Sequence, residues 1–218
     1  MQNENNCAAC AEGRGCGVFH AIRKQRVIRQ CENFVLVPAI GSIVPYYLIV
    51  SPKNHVTSFS QIKREALHEA GSFCDKFISS VDGDYEIILA EHGETCKSIE
   101  HAHVHVLLTQ KRSDVRKQFL SRLTPYSHVT SVERSIVSVF NRMSACRDLP
   151  EYSFVYDHTN ALWYEIELQK IPQGHNKQFI RRVLADVVNL PWNWQAHVGS
   201  EIIERTYLEL GCEHVETD

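Results

Sequence analysis

The sequence predicts an α+β fold: an antiparallel sheet with flanking helices, followed by a carboxy-terminal α/β extension. Three observations predict it. Apolar runs of strand length come in the order strand, strand, helix, strand, strand, which places helices beside an antiparallel sheet. The last of these runs, Ala102 to Leu108, alternates apolar residues with imidazoles, the period of a strand with two different faces. Beyond residue 110 the pattern changes to helix, then a hairpin, then helix again.

Taken in order, residues 1–17 read as a cysteine- and glycine-rich loop. Phe34–Pro38 is an apolar run, Gly41 and Pro45 mark a turn, and Tyr46–Val50 is a β-rich run ended by Ser51-Pro52. Ser60 is placed to cap a helix reaching about Ser80, because Ile62, Ala66, Glu69, Ala70, Phe73, Phe77 and Ile78 follow three-and-four spacing. Asp82-Gly83 closes that helix. Tyr85–Ala90 is a third strand, and Ala102–Leu108 a fourth that follows a loop containing Gly93. Val115–Leu123 and Ser131–Cys146 read as helices. Tyr152–Tyr156 and Leu162–Leu168 form a strand pair whose connection, Asp157 to Asn160, has hairpin-loop chemistry. Asn176–Asn189 presents a wide apolar helix face and Pro191 follows it. The division expected is a core over 1–112 and an extension over 113–218 packed on it.

Composition narrows the function classes. With 44% hydrophobic and 22% charged residues and a formal charge of -3, the chain has no broad electrostatic footprint for duplex nucleic acid. An anion is expected in a small site instead. There is no apolar signal region and no run near the roughly 18 apolar residues of a membrane span, so a cytoplasmic location is expected. Cys31, Cys74, Cys96, Cys146 and Cys212 are scattered without disulfide-like spacing and read as structural thiols.

The chemistry concentrates at His101-Ala102-His103-Val104-His105. Alternate strand positions put the three imidazoles on one face, roughly 6 to 7 Å apart, while Ala102, Val104 and Val106 face a core. Imidazoles so grouped serve metal binding, phosphate binding and proton transfer near neutral pH. Cys7 and Cys10, a C-x-x-C pair, suit a redox couple or a metal knuckle. No βαβ pattern surrounds them, which disfavours the thioredoxin-like reading, and a zinc knuckle requires about four N/S ligands.

The segment Ser98 to Leu108 resembles the signature of the histidine-triad (HIT-like) family. Tyr47 to Phe59, with Pro52-Lys53-Asn54-His55, resembles the family's preceding strand and turn. The resemblance covers roughly residues 7 to 110. It implies that the middle histidine, His103, attacks phosphorus and forms a phosphoramidate. It implies too that His105 binds a non-bridging oxygen or assists the leaving group, and that the Ser98 hydroxyl and nearby N–H groups stabilise developing charge. Ser98 also suits a plain loop position. Similarity to zinc-containing branches, including relatives of galactose-1-phosphate uridylyltransferases, implies a structural Zn2+ held by Cys7, Cys10, His55 and His101. Cys16 and His20 are rival ligands in the same loop. His175 to Trp194 resembles the carboxy-terminal extension of CwfJ-like relatives, which implies that Gln178 and Arg181 or Arg182 meet substrate phosphate. The alternative is an amphipathic helix with solvated arginines. Glu91-His92-Gly93 resembles a triplet of the extended relatives and makes His92 a substrate contact, with a structural turn at Gly93 as the other reading. One departure stands out: Ala39 occupies the position where nucleotide-binding members carry a ribose-binding acid. The partners implied are a small nucleotide or phosphate ester and no membrane. A homodimer is compatible with the resemblance. Hydrolysis is favoured over nucleotidyl transfer because His105 stands where uridylyltransferase-type members have glutamine, and a non-catalytic RNA- or nucleotide-binding role is the alternative.

Overall fold

The computed structural model describes Cys7, Cys10 and residues 27–81, 83–147, 149, 151–197 and 201–211. Its centre is an eight-stranded, wholly antiparallel sheet. The strands are β1 (Arg29–Gln30), β2 (Phe34–Pro38), β3 (Tyr47–Pro52), β4 (Tyr85–His92), β5 (Val104–Gln110), β6 (Ser127–Val132), β7 (Ser153–Asp157) and β8 (Leu162–Ile166). Their spatial order is β1-β2-β3-β5-β4-β7-β8-β6. The five strands of the amino-terminal half and the three of the second half therefore share one continuous sheet.

Five α-helices are described: α1 (Arg64–Val81), α2 (Val115–Leu123), α3 (Ile136–Met143), α4 (Phe179–Val188) and α5 (Glu201–Gly211). They cover both faces of the sheet. On one face Val104, Val106 and Leu108 of β5 join Leu67, Ala70, Phe77 and Ile78 of α1 and Ile136, Val139 and Phe140 of α3. On the other, Tyr47, Ile88, Ala90, Leu107 and Val155 pack against Phe119 and Leu123 of α2 and Phe179, Ile180, Val183 and Leu184 of α4. Strand alternation sends Val104 and Val106 to the first core and His105 and Leu107 to the second side. Helix α4, from the second half of the chain, thus lies over the histidine face.

Two elements differ from the sequence reading. The segment Ser131–Cys146 is not one helix: its start belongs to strand β6, and α3 runs only from Ile136 to Met143, followed by a 3-10 turn over Ser144–Cys146. Strand β6 is an edge strand with Val129 and Val132 exposed, paired to β8 through an irregular register between Val129 and Ser131. Its polar composition hides it from periodicity, and its pairing partner is distant in sequence. The helix expected from Ser60 begins later, at Arg64. Ser58 instead caps a 3-10 turn over Phe59–Gln61, accepting from the Ser60 N–H, and Ile62 in extended conformation separates the two.

Candidate active site and metal centre

His105 lies in β5, opposite Ile49 of β3 and Ala90 of β4. His101 and His103 precede the strand, which begins at Val104, yet the alternation holds: Ala102, Val104 and Val106 are fully buried while His103 and His105 keep a partly exposed edge. The rings of His103 and His105 meet edge to face with centroids 4.8 Å apart, and His92 approaches His105 at 5.3 Å. Nδ1 of His103 lies 2.8 Å from the carbonyl oxygen of His101. A carbonyl only accepts, so Nδ1 carries the proton and Nε2 keeps its lone pair. His105 Nδ1 is 3.0 Å from the Tyr47 hydroxyl. Tyr47 is buried, and from the sequence alone the bulky phenol in a β-rich run reads as core.

Burial holds these imidazoles neutral. It lowers His103 to about 4 and His92 to about 3, each helped by neighbouring cationic charge, and pushes His105 well below the usual histidine range. His92 sits within hydrogen-bonding reach of Ser153 Oγ at 3.4 Å. Next to it, the Gly93 N–H donates to the Tyr152 carbonyl at 2.6 Å, and a Cβ on Gly93 would meet the Tyr152 backbone N and O at 2.9 Å. That close approach requires glycine. Gly93 is thus held against the Tyr152 backbone, and His92 lies beside His105.

The helix α4 closes the site from the other side. Gln178, in left-handed conformation ahead of the helix, donates its backbone N–H to the Cys96 carbonyl at 2.8 Å. Its Oε1 is buried without a hydrogen-bond partner. Arg181 is buried, with its guanidinium bonded to the carbonyls of Gly41 and Trp192 and lying 5.7 Å from the Tyr47 ring centre. Arg182 stacks over Trp192 at 3.4 Å and donates to the Lys177 carbonyl. Ser98 is exposed in the bend before His101. Ala39 is buried among the apolar residues of the same side.

On the far side of His101 stands a second constellation. Cys7, Cys10, His55 and His101 bring one ligand atom each to within 4.8 Å of one another. Cys10 Sγ is 3.4 Å from His55 Nδ1 and 3.3 Å from His101 Nδ1, and Cys7 Sγ is 3.6 Å from His101 Nδ1. Metal–sulfur and metal–nitrogen bonds of about 2.3 and 2.0 Å at tetrahedral angles set sulfur and nitrogen roughly 3.5 Å apart, so the donors fit a tetrahedral ion. His101 Nε2 donates to the Pro52 carbonyl at 2.8 Å, leaving Nδ1 to face the sulfurs. Cys16 and His20, the rival ligands, lie outside the described residues, as does Cys212. Cys74 and Cys96 are buried thiols, and Cys31 and Cys146 are partly buried.

The structure thus sets a histidine cluster on an antiparallel sheet beneath a helix, beside a Cys₂His₂ group. Residues 22–112 match the family model of the HIT domain. No curated protein matches the chain. Among solved structures, a histidine triad protein from Clostridium difficile is 16% identical, with 52% of this chain and 97% of that chain covered and a TM-score of 0.40. A DUF4931 family protein from Bacillus cereus is 11% identical, covering 75% of this chain and 98% of that one, with a TM-score of 0.45. Yeast Ap4A phosphorylase in complex with AMP is 10% identical over 63% of this chain and 56% of that chain, with a TM-score of 0.41. No helix among the described residues is long and apolar enough to cross a membrane.

Proposed function

We propose that the protein is a histidine-triad enzyme that cleaves a phosphate ester or anhydride of a nucleotide-like substrate through a covalent intermediate on His103. The observation that carries this reading is the bond from His103 Nδ1–H to the His101 carbonyl, which leaves Nε2 unprotonated and free to attack. Nε2 donates its electron pair to phosphorus as the bond to the leaving oxygen breaks, giving a phosphoramidate. His105, tied at Nδ1 to Tyr47, supports a non-bridging oxygen or passes a proton to the leaving group. Water then takes the phosphoryl group from His103, which makes hydrolysis the favoured outcome; an acceptor hydroxyl or phosphate in its place gives nucleotidyl transfer.

In this reading Ser98 and the adjoining backbone stabilise charge on the transferred group. His92, Gln178 and Arg182 border the substrate, while Arg181 fixes the Gly41 turn and the Tyr47 ring against which it rests. Residues 1–112 supply the histidines and residues 113–218 the cover over them. Zinc is the ion proposed for Cys7, Cys10, His55 and His101. With four protein ligands it leaves no position for a catalytic water, so its role is to fasten the amino-terminal segment beside His103 and hold His101. The buried Ala39 supports recognition of the sugar by a route other than a carboxylate.

The test is turnover of nucleoside phosphoramidates, dinucleoside polyphosphates and nucleotide sugars by wild type and His103→Ala. Release of a nucleoside monophosphate by the wild type and its loss in the variant are expected. Undiminished turnover in His103→Ala removes the proposed nucleophile.

A further inference from the structure

Strand register brings a serine from the second half of the chain onto the histidine face. In β4, Ala90 stands opposite His105 of β5 and Val155 of β7, and His92 stands opposite Ser153 of β7. Side chains two residues apart on a strand share a face, so His92 joins Ala90, and Ser153 joins Val155, on the side where His105 lies. Ala90, Val155 and Leu107, two residues after His105, all belong to the core on that side.

The side chains meet there. Ser153 Oγ lies 3.4 Å from His92 Nδ1, and both residues are buried, at 3% and 4% exposure. The His92 ring stands at 75° to the His105 ring with centroids 5.3 Å apart, and the His105 ring at 86° to that of His103 at 4.8 Å. Three imidazoles thus form a continuous edge-to-face row that begins at a serine hydroxyl. A histidine ring turns about χ2 in a broad well and, when neutral, carries its proton on either nitrogen, so such a row stays aligned only where hydrogen bonds fix its members. The His101 carbonyl fixes His103 and Tyr47 fixes His105; Ser153 is the partner that fixes His92.

We propose that Ser153 is a positioning residue for the reaction: its hydroxyl sets the tautomer and tilt of His92, and the His92 ring in turn holds the His105 ring in place beside His103. This rests on the reading of His103 and His105 given above. Ser153 acts through two rings and does not touch the reacting atoms. It gives the second half of the chain a part in the chemistry beyond covering the histidines, because β7 carries the hydroxyl and β4 the ring it steadies.

Ser153→Ala removes the hydroxyl with little change of volume. In 1H–15N spectra of the imidazole nitrogens of the full chain, the His92 and His105 signals of this variant are expected to shift, while His103, held by the His101 carbonyl, keeps its Nδ1–H pattern. On the nucleotide substrate that the wild type turns over best, kcat is expected to fall by about threefold to tenfold, the size of one neutral hydrogen bond, with KM within about twofold. Should Ser153→Ala fail to fold, the wild type decides: His92 is expected as a single tautomer at neutral pH. Unmoved His92 and His105 nitrogens in Ser153→Ala, an unchanged kcat, or a wild-type His92 divided between tautomers overturns the proposal. The two readings separate. Ring-nitrogen shifts in Ser153→Ala together with undiminished turnover in His103→Ala keep the Ser153–His92–His105 contact and remove the nucleophile, whereas a His103 adduct formed at the wild-type rate in Ser153→Ala keeps the nucleophile and removes the role of Ser153.

Discussion

At the scale of single residues, the site is governed by who holds each imidazole proton. The His101 carbonyl fixes the tautomer of His103, and Tyr47 fixes the orientation of His105. Tyr47→Phe keeps the ring and removes the hydroxyl, so turnover is expected to fall by about tenfold or more, less than the roughly 10²–10⁴ carried by an acid-base group itself. The loss should shrink for a substrate with a better leaving group, which steady-state assays on paired substrates can read; an equal loss on both speaks against a role in proton delivery. The same burial that keeps the rings neutral makes stability pH-dependent. His92 has a folded-state value near 3 against 6.5 when exposed, so the unfolded chain binds the proton more readily below pH 6.5. Stability is then fully present above about 6.5 and is lost as pH falls toward 3, and His105 shifts in the same direction. Thermal melts across that window should show a falling midpoint in the wild type and a shallower fall in His92→Gln.

The histidines were legible in the sequence because alternation is a property of neighbours along the chain, as was the opposing face of Ala102, Val104 and Val106. Tyr47 and Ser153 were not legible. A phenol in an apolar strand looks like packing, and a serine in a short apolar strand looks incidental; only the fold turns the one toward His105 and the other toward His92.

At the scale of elements, the strands β2 and β5 and the helices α1 and α2 follow from local pattern, while β6 does not, since its exposed valines and its bulged pairing with β8 give no regular period. The crossing of α1 and α3 depends on one residue. A Cβ at Gly71 would stand 2.7 Å from the Val137 Cα, backbone that cannot rotate away. Gly71→Ala should therefore destabilise the protein by about 1–3 kcal/mol despite the better helix propensity of alanine, through the shift it forces between the helices. A lowered urea midpoint checks this, and an unchanged or raised midpoint contradicts it. On the opposite face, α4 and its Gln178 link to Cys96 set the roof of the site, a contact between halves of the chain that no local pattern shows.

At the scale of the whole molecule, one sheet runs through both halves, and the Cys₂His₂ group joins the amino-terminal segment to the histidine loop. That group was legible only through family resemblance, because Cys7 and His101 stand 94 residues apart. Cys10→Ser is expected to lower the metal content from about one ion per chain and to lower the melting temperature, by the mass-action link between a bound ion and the folded state. Metal analysis of purified protein reads the first effect directly, and wild-type protein that holds no metal when prepared without chelators contradicts it. The role of His103 is tested most directly by tandem mass spectrometry of protein quenched at high pH during turnover of a nucleoside phosphoramidate. An acid-labile nucleotidyl group on His103 is expected; an adduct on another residue, or turnover with His103 unmodified throughout, would rule out His103 as the nucleophile.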